Sequence, residues 1–229
     1  MSEISVVIPA YNEADTIGQT IQKVKAHSSG LVVEVIVVDG GSVDGTMQEA
    51  EKTGVIVLES PRKGRAAQMN FGAEQANGRL LYFLHADTHP PKDFDDKMLQ
   101  AVNNEWDAGC FRLRFDSDNL FLKCYAWFTR FDVDLFRFGD QSLFIKRQLF
   151  FEIGEFREDH IVMEDQEFVK RVKKEHTFTI LDEVVITSAE KYRNNGMVKL
   201  QLVFMLILIL YYLGASQERL VQIYKRFID

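Results

Sequence analysis

The sequence predicts an α/β protein with a mostly parallel central sheet flanked by helices and a helical pair at its C-terminal end. Three observations carry that expectation. Apolar, β-branched runs alternate with helix-patterned segments from residue 4 to residue 87, and strand–helix alternation signals a parallel sheet. The runs are apolar at nearly every position, as in strands covered on both faces. Each run stops at Pro, Gly, Asn, Asp or His residues, so the strand ends carry loop chemistry.

The first run, Ile4-Ser5-Val6-Val7-Ile8, stops at Pro9 and reads as a buried strand. Asn12 is the expected N-cap of the next helix, with Asp15 three residues on and Ile17, Thr20, Ile21 and Val24 at helical spacing. Residues 32–38 give a second strand, ending at Asp39-Gly40-Gly41-Ser42. A second helix opens at Asp44-Gly45-Thr46, with Asp44 as its expected N-cap, and residues 55–58 form a third strand. A helix over 66–76 runs into Asn77-Gly78, a C-cap signal, and residues 80–84 make a fourth strand that ends at His85-Ala86-Asp87.

The second half is less regular. It predicts strands over 111–115 and 141–145, helices over 147–153 and 164–174, and short strands over 178–180 and 184–187. Helices over 197–213 and 217–227 close the chain, with Gly214-Ala215-Ser216 between them. Residues 1–195 are expected to form one domain, and 196–229 a helical extension packed on it or on a partner.

A length of 229 residues fits one domain, or one with a small appendage. With 46% hydrophobic and 27% charged residues, a disordered tail and a coiled-coil rod are both excluded. Lys+Arg number 27 against 34 Asp+Glu, and a net charge of -7 argues against nucleic acid as the main partner. Cys110 and Cys124 match no zinc or redox spacing, so reduced thiols are expected. No signal peptide is read at the N-terminus, and a cytoplasmic location is expected. Residues 202–213 are apolar throughout but fall short of the roughly 18–20 a spanning helix needs. That helix stays open between core packing, a homodimer contact and peripheral contact at the inner face of the membrane. Lys199, Arg219, Lys225 and Arg226 are few for a strongly basic face.

Ligands of parallel sheets sit outside the carboxyl ends of the strands. Those ends here carry Tyr11, Glu13, Asp39, Asp44 and Asp87, which converge on one rim although far apart in sequence. No G-x-G-x-x-G follows the first strand and no G-x-x-x-x-G-K-[ST] occurs, so dinucleotide and P-loop readings fall. Strand-end carboxylates remain, and they favour Mg²⁺ or Mn²⁺ held against a diphosphate.

Val7-Ile8-Pro9-Ala10-Tyr11-Asn12-Glu13 resembles the opening motif of family 2 glycosyltransferases. Residues 37–46, with Val37-Val38-Asp39 and Asp44-Gly45-Thr46, resemble that family's second motif, and Lys63-Gly64-Arg65-Ala66 through Gly72 its glycine/alanine/asparagine helix start. Leu84-His85-Ala86-Asp87 falls at the family's D-x-D, with His85 at the first position, and Met163-Glu164-Asp165 at its E-D pair. These matches come in family order over residues 4 to 195. The closing pattern of Gly139-Asp140-Gln141, Ile153-Gly154 and Met163-Glu164-Asp165 is most similar to the radical-SAM/selenodomain-associated (arsenosugar-type) subgroup. Ala189 to Arg193 stand where the family carries Q-x-x-R-W, which disfavours processive polymer synthesis.

The resemblance implies a GT-A nucleotide-diphospho-sugar transferase fold and an inverting, metal-assisted transfer. The sugar would move from a nucleotide-sugar donor, a UDP-sugar by preference, to a hydroxyl of a small or lipid-linked acceptor. It places Pro9, Ala10, Tyr11 and Glu13 around base and ribose, and Asp39 on the base. Arg65, supported by Lys63, would reach the nucleotide, with His85 and Ala86 beside it. Asp87 would hold the metal, and Lys191 or Arg193 the diphosphate. Gly139, Asp140, Gln141 and Glu164 would meet the acceptor, and Asp165 would be the general base. A carboxylate base raises the nucleophilicity of an acceptor hydroxyl by general base catalysis, typically 10²–10⁴-fold.

Taken singly, each of these residues has a plain structural reading. Asp39 can cap a helix, Asp87-Thr88 can form a turn, and Glu164-Asp165 can complement a helix dipole. His27, His89, His160 and His176 are given no role. The aromatics Phe121, Tyr125, Trp127, Phe128, Phe131, Phe136 and Phe138 divide between an acceptor platform and a second small core or dimer contact. Two rival functions stand beside the transferase: a nucleotidyltransferase, which would release pyrophosphate, and a non-catalytic nucleotide-sugar-binding module.

Overall fold

The computed structural model describes residues 3–133 and 139–228. Phe136 and Phe138 of the aromatic stretch lie outside them. The elements run β1 (Ile4–Ala10), α1 (Ile17–His27), β2 (Val32–Asp39), α2 (Thr46–Glu51), β3 (Ile56–Glu59), α3 (Arg65–Gln75) and β4 (Leu80–Phe83). Then come β5 (Thr88–His89), α4 (Phe94–Asn103), β6 (Ala108–Phe115), α5 (Leu120–Phe128), a 3-10 turn (Gly139–Gln141), β7 (Leu143–Lys146) and α6 (Arg147–Ile153). The chain continues through α7 (Glu164–Glu175), β8 (Phe178–Thr187), α8 (Glu190–Asn195), α9 (Met197–Tyr212) and α10 (Gln217–Ile228).

One eight-stranded sheet has the order β3-β2-β1-β4-β7-β6-β8-β5. Pairings β1–β2, β1–β4, β2–β3 and β6–β8 are parallel; β4–β7, β6–β7 and β5–β8 are antiparallel. Successive side chains of a strand point to opposite faces, and β1 shows it: Ile4, Val6 and Ile8 enter one core and Val7 the other. The first core gathers α1, α4, α5 and the C-terminal helices; the second gathers α3, α6 and α7. Gly72 makes the α3 packing tight, because a Cβ there would overlap Val7 and press on Val38.

Several expectations are corrected. β1 runs through Pro9, which lies opposite Val38; β4 lies on β1's other side, pairing only Ile4 to Val7, so the proline's missing N–H breaks no ladder there. Asn12 is not the N-cap of α1, which begins five residues later after Thr16. With φ 55° it lies in the left-handed region. Its N–H donates to Ser42 Oγ and its Oδ1 accepts from Val43 N, which ties the β1–α1 and β2–α2 loops together. Gly45, not Asp44, directly precedes α2; Asp44 accepts from Thr46 N and, across the loop, from Ala14 N. Asn77-Gly78 is no left-handed cap: α3 ends at Gln75 and is followed by extended Ala76. Gly78 is required by close approach, since a Cβ there would sit 2.5 Å from Ser5 N. Gln141 lies in the 3-10 turn before β7, and the two short strands near 180 are one strand, β8, with a register shift opposite Phe111 and Arg112.

Helix α9 is apolar on all sides, yet it buries only Leu200, Val203 and Ile207. Leu202, Met205, Leu206 and Ile209 are exposed. Among the described residues no helix is long and apolar enough to cross a membrane.

Candidate active site

Because β1, β2 and β4 are parallel neighbours, their carboxyl ends open on one edge of the sheet. The register sets Ala10 beside Asp39 and Val7 beside Phe83, so the loops at 11–13, 39–42 and 85–87 leave the sheet together. Gln68 of α3 braces the base of this edge. It is buried, and its Nε2 donates to Ala10 O at 2.7 Å and Val38 O at 2.8 Å. Asn70, also buried, locks α3 to the approach to α7: Nδ2 donates to Phe156 O and Oδ1 accepts from Phe156 N. Sequence reasoning gave neither residue a role, and two amide side chains set among the apolar residues of 66–73 were the available signal.

On this base lies a network of charges. Arg65, the first residue of α3, donates its Nε–H to Glu164, and its Nη2 lies 3.4 Å from Asp165 Oδ2. Nη1 lies 3.4 Å from His85 Nε2, while His85 Nδ1 lies 3.0 Å from Asp140 Oδ1. Burial raises Asp87, and the Asp140 charge adds to the rise against the pull of His85 and Lys191. Burial also raises Glu13, where the Asp87 charge adds to it and a hydrogen bond from Thr16 opposes it. Thus Glu13, His85, Asp87, Asp140 and Lys191 share one field, although they come from two loops, the 3-10 turn and α8.

The protonation states follow. Desolvation works against Asp140, but the His85 hydrogen bond, with Lys191 and Arg65 nearby, holds its carboxyl down at about 2. Desolvation works against the charged form of His85 as well, and the Asp140 hydrogen bond outweighs it, so His85 titrates above its ordinary range. Asp165 goes the other way. Burial and the adjacent Glu164 charge push it up to about 6, against Arg65 and His85. A carboxyl raised toward neutrality is the property a general base needs near pH 7.

The structure brings Arg65, His85, Asp87, Asp140, Asp165, Glu13 and Lys191 together. Tyr11 is 60% exposed at the same edge, whereas Pro9, Ala10 and Ala86 are buried beneath it. Lys63 is exposed on the loop before α3. Four expected residues sit differently. The Asp39 side chain is 1% exposed, and its carboxylate is occupied within its own loop by Gly41 N, Ser42 N and Ser42 Oγ. Glu164 and Gln141 are expected at the acceptor but are 0% and 1% exposed, the first under Arg65 and the second donating to Thr129 O. Arg193 is drawn to Asp116, at 3.2 Å, leaving Lys191 as the cation of that segment in the network. Concavities of about 520 and 890 Å³ open elsewhere, lined by parts of β2 and β3 and by residues around Arg79 and Arg147, and neither includes the rim residues.

Known proteins with this architecture give it a lineage. The chain is 33% identical over 107 residues to glycosyltransferase AglE of Haloferax volcanii, which covers 44% of this chain and 35% of that protein. It is 30% identical over 131 residues to dodecaprenyl-phosphate galacturonate synthase of Rhizobium johnstonii, covering 53% and 39%. The chain thus spans between a third and two fifths of the length of these curated relatives. Among solved structures, S. aureus TarS in complex with UDP-GlcNAc superposes with a TM-score of 0.68 at 18% identity, covering 81% of this chain and 58% of that one. Glucosyl-3-phosphoglycerate synthase from Mycobacterium tuberculosis, in complex with Mn²⁺, UDP and glucosyl-3-phosphoglycerate, gives 0.63 at 18% identity, covering 80% and 70%. The fold is therefore the GT-A arrangement that the sequence resemblance implied. Residues 5–157 match the pattern of "Glycosyl transferase family 2", two thirds of the chain, and the chain belongs to that family.

Proposed function

We propose that the chain is an inverting, metal-assisted glycosyltransferase that moves a sugar from a UDP-sugar to a hydroxyl of a small or lipid-linked acceptor. Within the family we assign it to the radical-SAM/selenodomain-associated subgroup on its closing motifs. The observation that carries the reading is the juxtaposition of Arg65, His85 and Lys191 with Asp87 on one side and the raised carboxyl of Asp165 on the other. A nucleotide diphosphate brings negative charge to be neutralised, and an acceptor hydroxyl brings a proton to be removed; the network holds groups for both. The UDP complexes of TarS and of the mycobacterial synthase support uridine as the base.

In this reading Tyr11 lies along the base, Glu13 faces the ribose, and Pro9 and Ala10 form the floor. Asp39 shapes the loop, and its contact with the base requires Ser42 Oγ to turn away. Arg65, Lys191 and the imidazole of His85 orient the diphosphate. Among the described residues no three His, Cys, Asp or Glu side chains form a ready metal cluster. Asp87, raised by burial and by the like charge of Asp140, is a hard oxygen donor that fits Mg²⁺ or Mn²⁺ completed by diphosphate oxygens and water. A cation held there would neutralise the charge that grows on the leaving diphosphate. Asp165 accepts the acceptor's proton, and one base is sufficient for a single in-line displacement with inversion.

The test is a UDP-sugar screen by thermal shift with Mn²⁺, followed by product analysis. Release of UDP with transferred sugar is expected; pyrophosphate would identify a nucleotidyltransferase instead. Asp165→Asn should abolish turnover and retain UDP binding, and turnover that survives in it would remove Asp165 as the base. Asp87→Ala should lose the Mn²⁺-dependent part of UDP binding measured by calorimetry.

A further inference from the structure

Glu164 and Asp165 are adjacent on α7, but their surroundings differ. The Asp165 side chain is 15% exposed and the Glu164 side chain 1%. Glu164 Oε1 receives the Arg65 Nε–H, while Oε2 is buried without any hydrogen-bond partner. A carboxylate shut away from water and lacking a second donor depends on the cation paired with it, because an unpaired buried charge is costly. The Nε edge of Arg65 is therefore committed to Glu164. A guanidinium is planar, with its donors in a rigid fork, so fixing one edge fixes where the other projects. That other edge carries Nη2 beside Asp165 and Nη1 beside His85, on a side chain that is 41% exposed.

We propose that Glu164 is a positioning residue, which holds Arg65 so that its Nη edge is shared with Asp165 until a diphosphate takes it over. The proposal rests on reading Asp165 as the base. Donor binding then frees the base: Asp165 loses its ion-paired cation at the moment a sugar becomes available, and it binds a proton more tightly afterwards. The charged groups facing Asp165 are Glu164 on its own helix, Arg65 of α3, His85 after β4 and Asp140 of the 3-10 turn. Glu164 and Asp140 favour protonation of Asp165, and Arg65 and His85 oppose it. Turning the Arg65 Nη edge toward a diphosphate weakens one of the two opposing influences, and order follows from it, with donor before acceptor.

The experiment follows the carboxyl ¹³C signal of Asp165, assigned through Asp165→Asn, across pH in the free chain and with UDP and Mg²⁺; UDP affinity is measured by calorimetry. In the wild type, UDP with Mg²⁺ should move the Asp165 midpoint upward. In Glu164→Gln the free-chain midpoint should fall, because a neighbouring negative charge is gone and Asp165 becomes the best carboxylate left for Arg65. UDP should then bind on the order of tenfold more weakly, as expected for a misplaced charge-assisted hydrogen bond. If both the Asp165 midpoint and UDP affinity stay at wild-type values, Glu164 is packing and the proposal fails. Should Glu164→Gln not fold, Arg65→Lys decides from the exposed partner: a point charge without the fork should lose both the affinity and the UDP-induced shift, and retention of both overturns the proposal. Failure of the base reading is seen separately, as UDP-sugar turnover that persists in Asp165→Asn.

Discussion

Asp165 is destabilising to the fold in the form in which it would work. Its carboxyl is pushed up to about 6 by burial and the Glu164 charge, from an ordinary value of 3.8. The folded chain therefore binds the proton more tightly than the unfolded chain between those values, and stability falls as pH rises through that window. Above it the full cost is present, on the order of 1–3 kcal/mol. Asp165→Asn should raise the unfolding midpoint at pH 8, and the lead should shrink as pH falls and be gone by pH 4. A variant less stable than wild type at pH 8 would show that the Arg65 pairing dominates. At Asp39 the expectation is reversed. Its carboxylate collects two backbone N–H groups and a hydroxyl inside one loop, so Asp39→Ala removes three hydrogen bonds to a carboxylate, a loss of roughly 1–3 kcal/mol in chemical denaturation. The motifs made Arg65, His85, Asp87 and Asp165 legible in the sequence. The Arg65–Glu164 pair was not legible, because it joins positions 99 residues apart and exists only through the packing of α7 against the start of α3.

At the scale of elements, α3 positions most of the rim. Its first residue enters the charge network, Gln68 braces two strand ends, Asn70 fixes the approach to α7, and Gly72 lets the helix lie close on β1 and β2. Gly72→Val should overpack that contact against Val7 and Val38 and cost about 1–3 kcal/mol in urea unfolding. Gly72 is a helical residue with no positive φ, so the penalty would come from space and not from backbone strain. A variant as stable as wild type would mean that α3 can shift outward. The strands β1, β2 and β4 were legible because each is a nearly continuous apolar run with loop residues at its end. The short helices α5 and α8 were not, since a few turns among crowded aromatics or charges give too little periodicity. Strand β8 read as two pieces because Leu181-Asp182-Glu183 interrupts its apolar pattern, and the register shift beside that interruption is visible only when β6 pairs with it.

Over the whole molecule, the C-terminal helices belong to the core that supports β1. Leu200, Val203 and Ile207 of α9 and Leu220 and Ile228 of α10 are at most 8% exposed, in one cluster with Ile4, Val6, Ile8 and Tyr82. A chain of aromatic contacts links them to the middle of the fold, from Phe204 through Tyr192 to Phe115 and on to Tyr125 of α5. Fully burying a large aliphatic side chain stabilises by roughly 1.5–3 kcal/mol, so the buried leucines and isoleucines of the pair together rival the whole stability of an ordinary domain. A chain cut after residue 195 should therefore lose cooperative unfolding, whereas Leu206→Ser, on the exposed side of α9, should leave the midpoint nearly unchanged. The same midpoint in the cut chain would make residues 196–229 an appendage. The consequence for the site is direct. Lys191 stands in the short helix between β8 and α9, and its elevated proton affinity, opposed by desolvation, owes something to Tyr224 of α10 as well as to Asp140 and Asp87. Loosening the C-terminal pair should thus weaken UDP binding even where Arg65 and Asp87 are untouched, and calorimetry on Leu220→Ala, buried in that pair, would detect it.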